Sequence, residues 1–183
     1  QEVAQGYKTV KERSAVARFK VIGEDAYFLA WTTTPWTLPS NVALCVNPEE
    51  TYCKVKAVDG YTYYMAAALV DTVLGEGAEI LEHYQGKDLE FKEYEPLFPY
   101  AEKRIGNKKA YYVVCDTYVT LTDGTGVVHI APAFGEDDSK VGHRYDLPFV
   151  QLVNEKGEMT EETPWAGTFC KKADMAVLQA LED

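Results

Sequence analysis

Ser14-Ala15-Val16-Ala17-Arg18-Phe19-Lys20-Val21-Ile22 is the stretch on which the fold turns. Ala15, Ala17, Phe19 and Val21 fall on one side of an extended chain while Arg18 and Lys20 fall on the other, the period of two that a half-buried strand requires. A second apolar run, Ala26 to Trp31 (AYFLAW), follows the turn-like Gly23-Glu24-Asp25. Further along, strands are predicted at Val42 to Val46 and at Tyr52 to Val58, which turns through Asp59-Gly60, a strong hairpin signal, into Tyr61 to Met65. Strands are also predicted around Ile80 and at Leu89 to Tyr94, Ala110 to Cys115, Val127 to Ile130 and Phe149 to Val153. Helices are few. One is predicted over Ala66 to Leu74, stopped by Gly75, another over Ser139 to Tyr145, and a last over Lys171 to Leu181 with Met175, Leu178 and Leu181 on one face. Thirteen Tyr, seven Phe and three Trp favour extended structure. The pattern predicts an α+β, β-rich domain with a barrel-like or strongly bent sheet, not a βαβ alternation.

The 183 residues suit a single domain spanning 1–183. Their 46% apolar and 26% charged residues are ordinary for a globular protein. A net charge of −11 counts against a large phosphate-gripping surface, though not against contact with a short nucleic-acid end. No stretch has the roughly 18 to 20 apolar residues of a membrane span, and QEVAQGYKTVKERS lacks the apolar core of a secretory signal, so a cytosolic (cytoplasmic) setting away from membranes is expected. Cys45, Cys53, Cys115 and Cys170 form no C-x-x-C pair and read as buried or partly buried free thiols. Asp71 to Glu95 carries eight acids against two lysines, the composition of a solvated face.

Common catalytic signatures are missing. The chain has no G-x-x-x-x-G-K-S/T, H-E-x-x-H, G-x-S-x-G or G-x-G-x-x-G. Two segments remain unusual. The first is WTTTPWTLPSN, Trp31 to Asn41, in which proline holds the preceding threonines extended and their hydroxyls form a fixed array of donors and acceptors. Composition alone leaves open that these hydroxyls only satisfy local backbone groups. The second is DGTGVVHIAPAFGEDD, Asp123 to Asp138, where a Gly-Thr-Gly turn enters a strand bearing His129 and three consecutive acids follow. Negative charge at the start of the next helix would contribute about 0.3–1 kcal/mol, so Glu136 and Asp137 also have a purely structural reading. A metal site from His129, His143 and the acids matches no standard ligand spacing, and no metal is expected.

Together, WTTTPWTLPSN and GTGVVHIAPAFGEDD resemble the two signature segments of the editing domain inserted into isoleucyl-tRNA synthetases, in the class I family. The resemblance extends through Leu44 to Pro48, Gly142 to Pro148 and Asn154 to Gly157. Valyl and leucyl editing domains typically have Arg after the paired threonines, where this chain has Thr34. The synthetic-site sequences His-x-Gly-His and Lys-Met-Ser-Lys-Ser are absent. The resemblance therefore implies an editing domain excised from a larger synthetase, with no cofactor of its own, because ATP serves only the synthetic domain.

The implied activity is deacylation of valyl-tRNA(Ile), an ester hydrolysis that keeps isoleucine translation accurate. One methylene is worth only about 1–3 kcal/mol of discrimination, a figure that isoleucyl-tRNA synthetases themselves illustrate, so a second sieve is needed. Carried over residue by residue, the resemblance assigns Asp138 to the α-ammonium of the misattached amino acid, with Thr33 and Thr34 beside it in the catalytic set. Thr32, Asn41 and His129 become substrate-binding, His129 as the wall that limits side-chain size. Trp36 reads equally well as a core anchor. Implied partners are the 3′ CCA end of aminoacylated tRNA(Ile) and the remainder of the synthetase polypeptide, with the domain itself monomeric. Two alternatives stay open: a non-catalytic module that binds a tRNA 3′ end, and valyl-type editing of threonyl-tRNA.

Overall fold

A computed structural model describes residues 7–9, 15–105, 108–122, 124–154 and 156–169, with 173, 176, 177 and 180. The helix predicted over Lys171 to Leu181 falls mostly outside the described residues, Met175, Leu178 and Leu181 included. Ser14, Asp123, Glu155 and Cys170 also lie outside them.

The described strands are β1 (Tyr7–Thr9), β2 (Ala15–Lys20), β3 (Tyr27–Thr32), β4 (Ala43–Val46), β5 (Thr51–Lys56), β6 (Thr62–Ala66), β7 (Glu79–Gln85), β8 (Tyr112–Cys115) and β9 (Val127–Ile130). Helices are short: α1 (Val70–Leu74), α2 (Glu102–Ile105) and α3 (Glu136–Tyr145). All nine strands join one mixed sheet, as the β-rich reading expects. β2 and β3 pair antiparallel along their whole length, and the Asp59-Gly60 turn joins β5 to β6, with Gly60 at φ 91° where a side chain would be strained.

The other edge of β3 forks. Its start, Tyr27 and Phe28, pairs in parallel with Tyr63 and Tyr64 of β6, whereas Trp31 near its end pairs in parallel with Val128 of β9. One branch continues β6–β5–β7 and the other β9–β4–β8. The Gly124-Thr125-Gly126 turn fills the crotch. The buried Thr125 hydroxyl donates to Leu29 O at 2.6 Å, and Thr125 O accepts from Ala66 N at 2.9 Å, tying β3 to the end of β6. Gly126, at φ 80°, admits no side chain, because a Cβ would stand 2.5 Å from that of Ala66.

Leu89 to Tyr94 departs from its sequence prediction. Gly86–Leu89 is a 3-10 turn and Phe91 adopts φ 71°, so no continuous strand forms. Residues 91–95 nevertheless bridge two strands: Ile22 N and Glu95 N bond Glu93 O and Lys20 O beside β2, while Phe91 N, Tyr94 N and Val113 N bond Val113 O, Tyr111 O and Lys92 O beside β8. The path β2–β3–β9–β4–β8 thus returns to β2 through this segment, which gives the barrel-like form. Phe149 to Val153 likewise forms only an isolated bridge, Val153 to Met159. α3 begins three residues earlier than predicted, with Gly135 as its N-cap and all three acids in its first turn.

The core follows the branches. Every residue of β4 and β8 is buried, as are Phe19, Phe28, Leu29, Tyr63 and Tyr64, with Phe28 and Tyr64 stacked at 5.1 Å across the β3–β6 pair. Cys45, Cys53 and Cys115 are buried free thiols. β7 is exposed along almost its whole length, in keeping with the solvated reading of its acids. Among the described residues, no helix is long and apolar enough to cross a membrane.

Candidate functional site

β3 ends at Thr32, and Pro35 and Pro39 turn the chain at once into a 3-10 helix over Pro35–Ser40. Each proline lacks a backbone donor and fixes its own φ, so a tight turn replaces continued extension. Thr32 is buried and its hydroxyl accepts Thr34 N at 3.1 Å, whereas Thr33 and Thr34 are exposed. Across the fork, β9 carries His129, and the Pro132–Phe134 turn leads into α3, whose third residue is Asp138. Close packing sets that approach: a Cβ on Gly142 of α3 would lie 3.1 Å from the Pro132 ring.

These pieces enclose one cavity of about 320 Å³, lined by Trp31, Thr32, Thr33, Thr34, Thr37, Val128, His129, Ala131, Phe134, Gly135 and Asp138. Five of the six residues singled out in the sequence line it. The sixth, Asn41, does not, and instead bonds the back of His129. A more open hollow of about 910 Å³, beside Arg104 and Glu162, contains none of them.

His129 is only 6% exposed, and both its ring nitrogens are engaged. Asn41 Nδ2 lies 3.0 Å from Nδ1, and Thr37 Oγ1 lies 2.7 Å from Nε2. An amide NH₂ only donates, so Nδ1 is the acceptor and the ring proton sits on Nε2, assigned from the network of partners. Thr37 completes the pattern by donating its own proton to Thr34 O at 2.8 Å. Burial pulls the imidazole down to about 4, so the ring is neutral at pH 7. With one nitrogen protonated and the other's lone pair occupied, His129 lines the cavity as a neutral ring and is not a ready general base.

Asp138 Oδ2 accepts Ala131 N at 2.9 Å, which aims the carboxylate into the cavity from the first turn of α3. Burial raises its pKa, the Ala131 bond opposes this, and Asp137 adds to it. A carboxylate so placed is stabilised by a cationic ligand, which would replace the water lost on burial. Among the described residues, no group of three or more His, Cys, Asp or Glu is placed to hold a metal.

Several lining residues were not singled out from sequence. Thr37 lies in the same hydroxyl-rich segment as Thr32, which was a usable signal. Trp31 is backed by Gly124, at φ 74°, where a Cβ would come within 3.1 Å of the indole. Trp36, half-buried against the core, meets Phe134 edge-on at 5.2 Å, so it supports the wall from outside and fits the anchor reading.

The fold is that of synthetase editing domains. The chain superposes on the crystal structure of GlLeuRS-CP1 with a TM-score of 0.69 at 14% identity, covering 92% of this chain and 94% of that one. For the P. knowlesi cytosolic leucyl-tRNA synthetase editing domain the TM-score is 0.65 at 14% identity, covering 92% of each chain. In sequence, the chain is 50% identical to the isoleucine–tRNA ligase of Clostridium acetobutylicum and 47% identical to that of Bacillus thuringiensis strain Al Hakam, over 100% and 98% of its length. No protein-family model matches. The chain thus matches a segment of isoleucine–tRNA ligases along essentially its whole length while spanning 17% of theirs, and it shares its fold with leucyl-tRNA synthetase editing domains.

Proposed function

We propose that this chain hydrolyses the ester of valyl-tRNA(Ile), acting as the editing deacylase of an isoleucine–tRNA ligase. The observation that carries this reading is the convergence of Thr32, Thr33, Thr34, His129 and Asp138 on one cavity. In this reading the valyl ammonium bonds Asp138, which fixes the scissile ester, and the isopropyl group meets His129 in the interior. The exposed Thr33 and Thr34 receive the terminal ribose at the cavity mouth, with Thr32 behind them. Water attacks the ester carbonyl, the acyl–oxygen bond breaks, and the proton from water passes to the departing ribose oxygen. The adjacent ribose hydroxyl and the threonine hydroxyls stabilise the developing oxyanion. No step uses a cofactor or metal. The partners are the CCA end and the rest of the synthetase polypeptide, with the domain monomeric and the setting cytosolic.

Single-turnover deacylation tests this. Valine should be released from valyl-tRNA(Ile), and Asp138→Ala should slow release by about 100-fold or more through loss of positioning. His129→Ala should let isoleucyl-tRNA be hydrolysed too. Tight binding of a non-hydrolysable valyl-adenosine analogue without turnover would favour the 3′-end binding module. Faster release of threonine from threonyl-tRNA would favour the valyl-type alternative.

A further inference from the structure

Behind the cavity runs a chain of hydrogen bonds whose direction is fixed at every atom. It starts at Tyr94, in the segment that links β2 to β8, a buried phenol held edge-on by Phe19 at 5.2 Å and by Tyr111 at 6.0 Å. The Tyr94 hydroxyl donates to Asn41 Oδ1. Asn41 Nδ2 has two protons, and both are used, one on Ala43 O at 2.8 Å and one on His129 Nδ1. His129 Nε2–H then meets Thr37 Oγ1, whose own proton goes to Thr34 O. Tyr94 and Asn41 do not line the cavity, and the side-chain hydrogen bonds that lead from them to it run through the imidazole.

We propose that Tyr94 is a positioning residue for substrate selectivity: by holding Asn41 Oδ1 it fixes the amide that grips His129 Nδ1, and so fixes the wall against which the substrate's side chain is measured. This rests on the editing function proposed above. Without the phenol hydroxyl, Asn41 Oδ1 is a buried acceptor with no donor, and the amide must turn to find one. The imidazole then loses its partner at Nδ1, admits its second tautomer and gains freedom to swing. A wall free to swing accommodates an extra methylene.

Tyr94→Phe tests this, because it keeps the ring packing and deletes only the donor. The chain has three histidines, so nitrogen NMR of the whole chain with labelled histidine resolves the His129 signals. The unaltered chain should show a single neutral tautomer protonated at Nε2. Tyr94→Phe should add a population protonated at Nδ1, and should lower the ratio of valyl- to isoleucyl-tRNA hydrolysis by about tenfold, within the range one methylene commands. Tyr64→Phe is the control, since Tyr64 is also a buried phenol but its hydroxyl meets the remote Glu24. Asn41→Asp, a second probe, presents oxygen to Nδ1 and should force the proton there. The proposal is overturned if Tyr94→Phe matches Tyr64→Phe in both nitrogen shifts and selectivity. Should Tyr94→Phe fail to fold, unchanged shifts in Asn41→Asp overturn it. Should the unaltered chain release neither amino acid, the editing function fails alone, and the nitrogen shifts still decide whether Tyr94 orients His129.

Discussion

Two branches leave the same edge of β3 and meet opposite fates. β6–β5–β7 ends in a strand that is exposed almost throughout, whereas β9–β4–β8 is buried nearly everywhere and is stitched back to β2 by residues 91–95. The contrast is written in composition. β4 is Ala-Leu-Cys-Val, continuously apolar as a strand covered on both faces must be, while β7 carries two glutamates and a histidine among its seven residues. The enclosed branch carries His129, and the threonines come from β3 just past the fork. The proposed editing function needs a rigid wall, and the buried branch is the one packed to provide it.

If burial separates the branches, truncation should separate them too. Leu44, opposite His129 in the β4–β9 ladder and fully buried, should destabilise the fold by about 2–5 kcal/mol when replaced by Ala, measured by denaturant unfolding. The enclosed branch should also show a pH signature. His129 is held at about 4 against an ordinary 6.5, so between these values the unfolded chain binds the extra proton. Its contribution is complete above pH 6.5 and falls as pH drops toward 4, by at most about 3 kcal/mol. His129→Gln should flatten that slope in unfolding curves taken from pH 7 to 4, leaving the components from Glu24 and Glu162 and the opposing one from Asp138. For Glu24, burial alone would raise the pKa, yet bonds from Lys92, Tyr64 and Lys54 hold it at about 2, so its contribution is lost only below pH 4.5. At the fork, Thr125→Val removes the donor to Leu29 O and should cost about 1–3 kcal/mol in the same assay. On the open branch, Leu81→Ala should change stability by no more than about 0.5 kcal/mol, since Leu81 is 45% exposed. A large loss there would show that β7 is structural, and the two-branch contrast would fail.

Local rules made much of this legible. Alternation located β2, a continuous apolar run located β3, Asp59-Gly60 located the hairpin, and Gly75 located the end of α1. The candidate site was legible through two motifs and their resemblance to a family, which brought Thr32, Thr33, Thr34, His129 and Asp138 into view. What sequence did not reveal depends on partners far along the chain. Leu89 to Tyr94 looks like a strand because Leu89, Phe91 and Tyr94 are apolar or aromatic, yet its partners lie on two different strands, and Phe91, exposed at φ 71°, interrupts any regular ladder. The fork, the parallel β4–β8 pairing and the polar chain behind His129 share this long-range origin. Nothing around Tyr94 marks it as a neighbour of Asn41, 53 positions away.

That long range has a consequence for how the protein is born. The β2–β3 and β5–β6 pairs join near neighbours and can form within moments of leaving the ribosome. The pocket cannot, because Thr37 and His129 are separated by 92 positions and α3 comes later still. While the residues between them are being added, the threonines stand without their partners, and the cavity closes only once β9 and α3 have been made.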